Sequence, residues 1–165
     1  EIWAESEINE GSTFFFTIPY KPTKLILNHN DNKQNSHIKN RNLKDKKILI
    51  VDDNEMVNFY FSELFSDTGA EIIFSKSAKN ALIEIKKNEH LDLILLDIQL
   101  PDKNGFDLLP EIRKINPDIK IIAQTAHALP EDKSKAIAAG FDDYISKPIN
   151  HEMLFMKINS ILYDN

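Results

Sequence analysis

Residues 46–53 read KKILIVDD: two lysines, four consecutive apolar residues and two aspartates. The run Ile48-Leu49-Ile50-Val51 shows no polar alternation, which is the pattern of a strand covered on both faces in a parallel sheet. The acidic pair Asp52-Asp53 marks its carboxyl end. Further short apolar runs follow at Ile72-Ile73-Phe74, Leu93 to Leu96, Ile119 to Ala123 and Tyr144-Ile145. Helical periods lie between and after them. Val57, Phe61, Leu64 and Phe65 share one face, as do Ala78, Ala81, Leu82 and Ile85, then Leu108, Ile112 and Ile115, and finally Leu154, Ile158, Ile161 and Leu162. A thinner helix is expected near 131–139, with Ala136, Ile137 and Ala139. Gly69 and Gly140 fall just past helix ends, where a left-handed residue is cheap only for glycine. Five βα units from Lys46 to Tyr163 predict a doubly wound α/β domain.

The remainder of the 165 residues has a different texture. Residues 1–20 read EIWAESEINEGSTFFFTIPY, with β-rich runs at Ile2 to Ala4 and Thr13 to Ile18. Asn9 and Gly11 favour a hairpin connection, and Pro19 ends the second strand. An isolated hairpin is marginal in water, so strand pairing between copies of the chain is a further expectation. Residues 21–45 are rich in asparagine and lysine without an apolar period, which predicts a solvated linker. The chain opens on Glu1 rather than Met, the mark of a piece cut from something longer. Hydrophobic residues make up 42% and charged residues 28%, enough for a core without staples. No cysteine is present, which excludes disulfides, thiolate zinc sites and a cysteine nucleophile. A net charge of −6 argues against nucleic acid and anionic membrane as partners. No apolar run approaches the ~20 residues of a membrane span.

In open α/β sheets, sites form at the carboxyl ends of the strands. Those ends carry Asp52-Asp53, Asp97, Thr125-Ala126 and Ser146-Lys147-Pro148. Three carboxylates on one sheet edge repel one another unless a counter-charge is present, and a hard divalent cation supplies it. A carboxylate can accept a phosphoryl group, lysine can neutralise its oxygens and threonine can hydrogen-bond one. The set reads as Mg²⁺-dependent phosphoryl transfer to an aspartate. Taken singly, each residue has a plainer reading: an Asp as a helix N-cap, a surface Lys, a β-forming Thr. One helix needs one cap, however, so the pair Asp52-Asp53 fits capping poorly.

The segments KKILIVDDNEMV, LILLDIQLPDKNGFDLL, AQTAHA and DDYISKPI together resemble the receiver domain of two-component response regulators. The resemblance covers residues 46–163. It implies a flavodoxin-like (βα)5 sheet with strand order 2-1-3-4-5 and Asp97 as phosphoacceptor. Asp53, Asp97 and the backbone carbonyl of Gln99 would bind Mg²⁺ or Mn²⁺, with Asp52 acting through water. Thr125, Ala126 and Lys147 would contact the phosphoryl group, and Thr125 and Tyr144 would act as the switch. The Lys147–Pro148 bond is expected to be cis, aiming the lysine inward. Gln99 and His127 occupy positions that tune phosphoryl lifetime in the family. The readout face would comprise the domain's fourth helix, fifth strand and fifth helix. The loop after the acceptor departs from the usual pattern, reading Leu100-Pro101-Asp102-Lys103-Asn104-Gly105. Gly105 keeps the turn possible, and Asn104 tolerates positive φ.

The N-terminal stretch, with Ile2-Trp3, Glu5-Ser6-Glu7 and GSTFFFTIP at 11–19, resembles the closing strands of the histidine-kinase ATP-binding domain. The boxes that hold ATP are not in this chain, so it should bind no ATP. The order implied is that of a hybrid sensor histidine kinase. Asp97 would receive a phosphoryl group from the kinase's histidine domain and relay it to a histidine phosphotransfer protein or a downstream response regulator. The location implied is cytoplasmic, including as the cytoplasmic part of a membrane-anchored kinase. No helix-turn-helix follows residue 163, so direct transcription control is not expected. Two alternatives have less support. A haloacid-dehalogenase-like phosphatase uses similar groups but needs a D-x-D-x-T run, which Asp52-Asp53-Asn54-Glu55 lacks. A phosphorylation-independent interaction module has no use for the intact acidic set.

Overall fold

A computed structural model describes residues 1–7, 11–17, 42–88, 90–126 and 130–163. The chain divides into two units, Glu1–Lys33 and Gln34–Asn165.

In the first unit, β1 (Ile2–Glu7) pairs antiparallel with β2 (Gly11–Phe16). The expected hairpin is present, but β2 starts at Gly11 rather than Thr13. The ladder runs on to the Glu7–Gly11 pair, and Ser12 Oγ donates to Ser6 Oγ across it. Trp3 faces Phe15, and their rings stack with centroids 5.3 Å apart. With a side-chain period of two, Ile2, Ala4, Phe14 and Phe16 share the opposite face. The turn at residues 8–10, the expected strand end at Ile18-Pro19 and residues 21–41 of the expected linker lie outside the described residues.

The second unit is a five-stranded parallel sheet of β3 (Lys47–Val51), β4 (Glu71–Ser75), β5 (Leu93–Asp97), β6 (Lys120–Thr125) and β7 (Asp143–Ser146). Its spatial order is β4-β3-β5-β6-β7, which is the expected 2-1-3-4-5. Five helices follow the strands in turn: α1 (Glu55–Phe65), α2 (Ala78–Lys87), α3 (Gly105–Ile115), α4 (Pro130–Ala139) and α5 (His151–Tyr163). The fold is flavodoxin-like and doubly wound. Alternate residues of each strand feed two cores. Ile48, Ile50, Leu93 and Leu95 pack with Phe61, Phe65, Leu154 and Ile158 of α1 and α5. Leu49, Val51, Ile94 and Leu96 pack with Ala81, Ile85, Leu108 and Ile112 of α2 and α3. Burial on both faces explains why these strands read as continuous apolar runs.

The packing begins earlier than the Lys46 boundary. Leu43, inside the stretch expected to be linker, is fully buried in the α1/α5 core. Its N–H donates to the Thr68 carbonyl at 2.8 Å, and Lys46 N–H donates back to the Leu43 carbonyl at 2.9 Å. One leucine in a polar stretch has no period to announce it. Gly140 follows α4 directly with φ +106, whereas Gly69, at φ +77, comes after a further turn at Ser66–Thr68.

Candidate functional site

The ladder aligns the strand ends. Val51 pairs with Leu96, so the next residues, Asp52 and Asp97, come level, and Asp97 in turn pairs with Gln124. Thr125 pairs with Ser146, placing Lys147 just beyond the same edge. Asp52 is fully buried, Asp97 nearly so, and Asp53 is exposed at the rim. Carboxylate oxygens of all three lie within 4.8 Å of one another.

The two buried carboxylates are built alike. Asp52 Oδ1 accepts the Asn54 N–H at 3.0 Å, and Asp97 Oδ1 accepts the Gln99 N–H at 2.9 Å. Their second oxygens share one cation: Lys147 Nζ lies 2.7 Å from Asp52 Oδ2 and 2.6 Å from Asp97 Oδ2. Partial burial works against the Lys147 ammonium, but its hydrogen bonds to Asp52 and Asp97 and their charges outweigh it. The lysine pKa is therefore held above its ordinary value. Ionised, three carboxylates against one ammonium leave an excess charge of −2 on hard oxygen donors. One of them is open to solvent. That donor set fits a divalent cation such as Mg²⁺.

None of these aspartates serves as a helix cap. Asn54 caps α1, accepting from the Met56 and Val57 N–H groups, and Asn104 caps α3, accepting from Phe106 N–H. The cap settles Asn104 at φ −67, not in the positive-φ region that its residue type allows. Gly105 is required for a different reason than turn conformation. A Cβ there would lie 2.9 Å from both the Asp97 carbonyl oxygen and Ile98 Cα. The Gln99 backbone is held by a bridge to Asn104 across the loop.

Thr125 is buried at the same edge, and its carbonyl accepts the Lys147 N–H at 2.7 Å. Ala126 follows it, exposed. The Lys147–Pro148 bond is cis, as expected. Tyr144 is half-buried against the α2/α3 core, with Lys157 5.2 Å and Lys133 5.8 Å from its ring centroid. His127 lies outside the described residues.

Three participants escaped the sequence reading. Asn58 Nδ2 donates to the Asp52 carbonyl at 3.0 Å; it lies one turn beyond the α1 cap, a spacing that could have flagged it. Gln124, level with Asp97, is fully buried, and neither atom of its amide has a hydrogen-bond partner among the described residues. Asp102 accepts from the N–H groups of Ala78 and Lys79, partners 24 and 23 residues away that no local pattern announces.

The sequence profile of the response regulator receiver domain matches residues 48–159. The chain is 38% identical over 123 residues to hybrid signal transduction histidine kinase I of Dictyostelium discoideum, covering 70% of this chain and 7% of that protein. It is 34% identical over 112 residues to the uncharacterized transcriptional regulatory protein YrkP of Bacillus subtilis, covering 68% of this chain and 47% of the relative. The chain thus spans half or less of these relatives' lengths. Among solved structures, the CheY-like receiver domain protein from Methanospirillum hungatei superposes with a TM-score of 0.65 at 36% identity, over 72% of this chain and 94% of the other. This chain belongs to the response regulator receiver domain family. Its work is that of a phosphoacceptor in two-component signalling. Among the described residues no helix is long and apolar enough to cross a membrane.

Proposed function

We propose that this chain is the receiver of a hybrid histidine kinase and that Asp97 is its phosphoacceptor. The observation that carries the reading is Lys147, whose ammonium bridges Asp97 and Asp52 inside the three-carboxylate cluster. A carboxylate oxygen of Asp97 attacks the phosphorus of a phosphohistidine. The P–N bond breaks, the imidazole leaves, and an acyl phosphate remains on Asp97. Lys147 is already within hydrogen-bond distance of the acceptor and follows the new charge onto a phosphoryl oxygen. The Thr125 hydroxyl and the Ala126 N–H hold the others. Asp53, Asp97 and the Gln99 carbonyl would hold Mg²⁺ or Mn²⁺, with Asp52 acting through water. When bound, the ion neutralises charge on the transferring group.

The reverse attack by a histidine phosphotransfer protein, or onward transfer to a downstream regulator, completes the relay. Movement of Thr125 toward the phosphoryl group draws Tyr144 with it and shifts a two-state equilibrium. Gln99 and His127 set the lifetime of the acyl phosphate through access of water. The hybrid context is supported by the similarity to two Dictyostelium hybrid kinases and by the N-terminal hairpin, whose motifs resemble the end of a kinase ATP-binding domain. In that context the receiver works in the cytoplasm.

The test is intact mass after incubation with acetyl phosphate. Wild type should gain one phosphoryl group with Mg²⁺ and none without it, and Asp97→Asn should gain none. An Asp97→Asn protein labelled like wild type would refute the assignment.

A further inference from the structure

The four leading N–H groups of a helix need acceptors. At the start of α2 they come from two places. Ser77 is the local cap: its Oγ accepts Asn80 N–H at 3.2 Å, and its carbonyl accepts Ala81 N–H at 2.9 Å. The first two N–H groups go to a residue of a different loop. Asp102 Oδ1 accepts Ala78 N–H at 2.9 Å, and Oδ2 accepts Lys79 N–H at 3.0 Å. Burial works against the Asp102 carboxylate, but the N–H groups of Lys79, Ala78 and Asp102 itself, with the Lys103 charge, together outweigh it and hold its pKa below the usual carboxylate range. The bidentate geometry fixes the direction of the side chain as well as its distance.

Asp102 lies at the middle of the loop that runs from Asp97 to α3. The rest of that loop is tied at its ends. Gln99 N–H binds Asp97 Oδ1, Gly105 N–H donates to the Ile98 carbonyl at 2.8 Å, Gln99 bridges Asn104, and Lys103 pairs with Glu111 of α3. Among the described residues, Asp102 makes this loop's side-chain hydrogen bonds to α2, while Ile98 and Leu100 pack on the core that α2 shares with α3. The Gln99 carbonyl therefore takes its position from a frame with one anchor on α3 and one on α2.

With Asp97 as acceptor and Gln99 as metal ligand, as read above, we propose that Asp102 is a positioning residue: by clamping the loop to the start of α2 it holds the Gln99 carbonyl where the divalent cation binds. Loss of the clamp weakens the cation site without removing any ligand. Outer partners that orient metal ligands are worth about 10–100-fold in affinity, and an anchor one step further out belongs near the lower end, at about tenfold.

The experiment titrates Mg²⁺ against wild type, Asp102→Ala, Asp102→Asn and Ser77→Ala in the 165-residue chain. Binding is followed by calorimetry and phosphorylation by intact mass with acetyl phosphate. Asp102→Ala should raise the half-saturating Mg²⁺ concentration about tenfold, while phosphorylation at saturating Mg²⁺ stays near wild type. Asp102→Asn keeps one acceptor oxygen and should fall between. Ser77→Ala removes the other cap of the same helix, so it should lower the melting temperature and leave half-saturation unmoved. If Asp102→Ala, or Asp102→Asn should the former not fold, shows wild-type half-saturation, or if Ser77→Ala shifts it equally, the positioning role is overturned. A wild-type chain that binds no Mg²⁺ would instead overturn the metal-site reading itself.

Discussion

The hairpin and the five-stranded sheet both carry runs of apolar residues, yet the two use that material in opposite ways. In β3, Ile48, Leu49, Ile50 and Val51 are all completely buried. In β1 and β2, Ile2, Phe14 and Phe16 are 78%, 72% and 67% exposed. The hairpin is ordered by its six-pair register and one stacked aromatic pair, whereas the sheet is ordered by two helical layers. An apolar strand contributes in proportion to the area it removes from water, so the same residue types carry very different weight in the two places.

Substitutions should separate the two regions sharply. The largest effect is expected for Leu95→Ala, in the fully buried centre of β5: a loss of about 2–5 kcal/mol in urea unfolding. Phe14→Ala removes a larger side chain and should change the same transition by less than about 0.5 kcal/mol. A comparable loss from both would mean that the hairpin face is covered in solution. Gly105→Ala should come next, at about 1–3 kcal/mol, because its Cβ meets backbone at the end of β5, Asp97 and Ile98, rather than a yielding side chain. It should also lower labelling by acetyl phosphate more than its stability cost explains.

Gln124→Met is expected to act in the other direction. It replaces a buried amide that has no hydrogen-bond partner among the described residues by an apolar side chain of similar volume and should raise stability by about 1 kcal/mol. A small effect of the usual sign is expected at the entrance to β3. Asp92 accepts from Lys46 Nζ at 2.9 Å and from Lys47 N–H at 2.8 Å. The hydrogen bond to Asp92 is the main cause of a raised Lys46 pKa. A raised lysine pKa stabilises the fold below the unfolded value, near 10.5, and that contribution fades as pH rises through the folded value. Asp92→Asn should therefore cost about 0.5–1 kcal/mol at neutral pH. The gap to wild type should narrow above pH 10.5 in a pH series of melts.

Much of the site was legible because parallel strands place their carboxyl ends on one edge. Once Val51 and Leu96 are read as strand residues at that edge, Asp52 and Asp97 have to be neighbours, with Thr125 one strand and Lys147 two strands further along. Legibility stopped where a contact joins residues with no shared period. Leu43 looked like linker because a lone apolar residue has no pattern. Asp102 drew no reading of its own because its partners start a helix earlier in the chain. Asn104 was read through its tolerance of positive φ, whereas its side chain is spent on capping α3.

By itself the sequence determined the alternation of buried strands and amphipathic helices, the parallel sheet, and the acidic, hydroxyl and ammonium groups at its carboxyl edge. These depend on local period and strand direction, which are written in consecutive residues. Tertiary structure alone decided that one lysine is shared between two buried carboxylates, that a glutamine lies buried beside them, and that a loop aspartate fastens the start of α2. Those are distances of a few ångströms between residues far apart in the chain, and only the packed sheet and helices determine them.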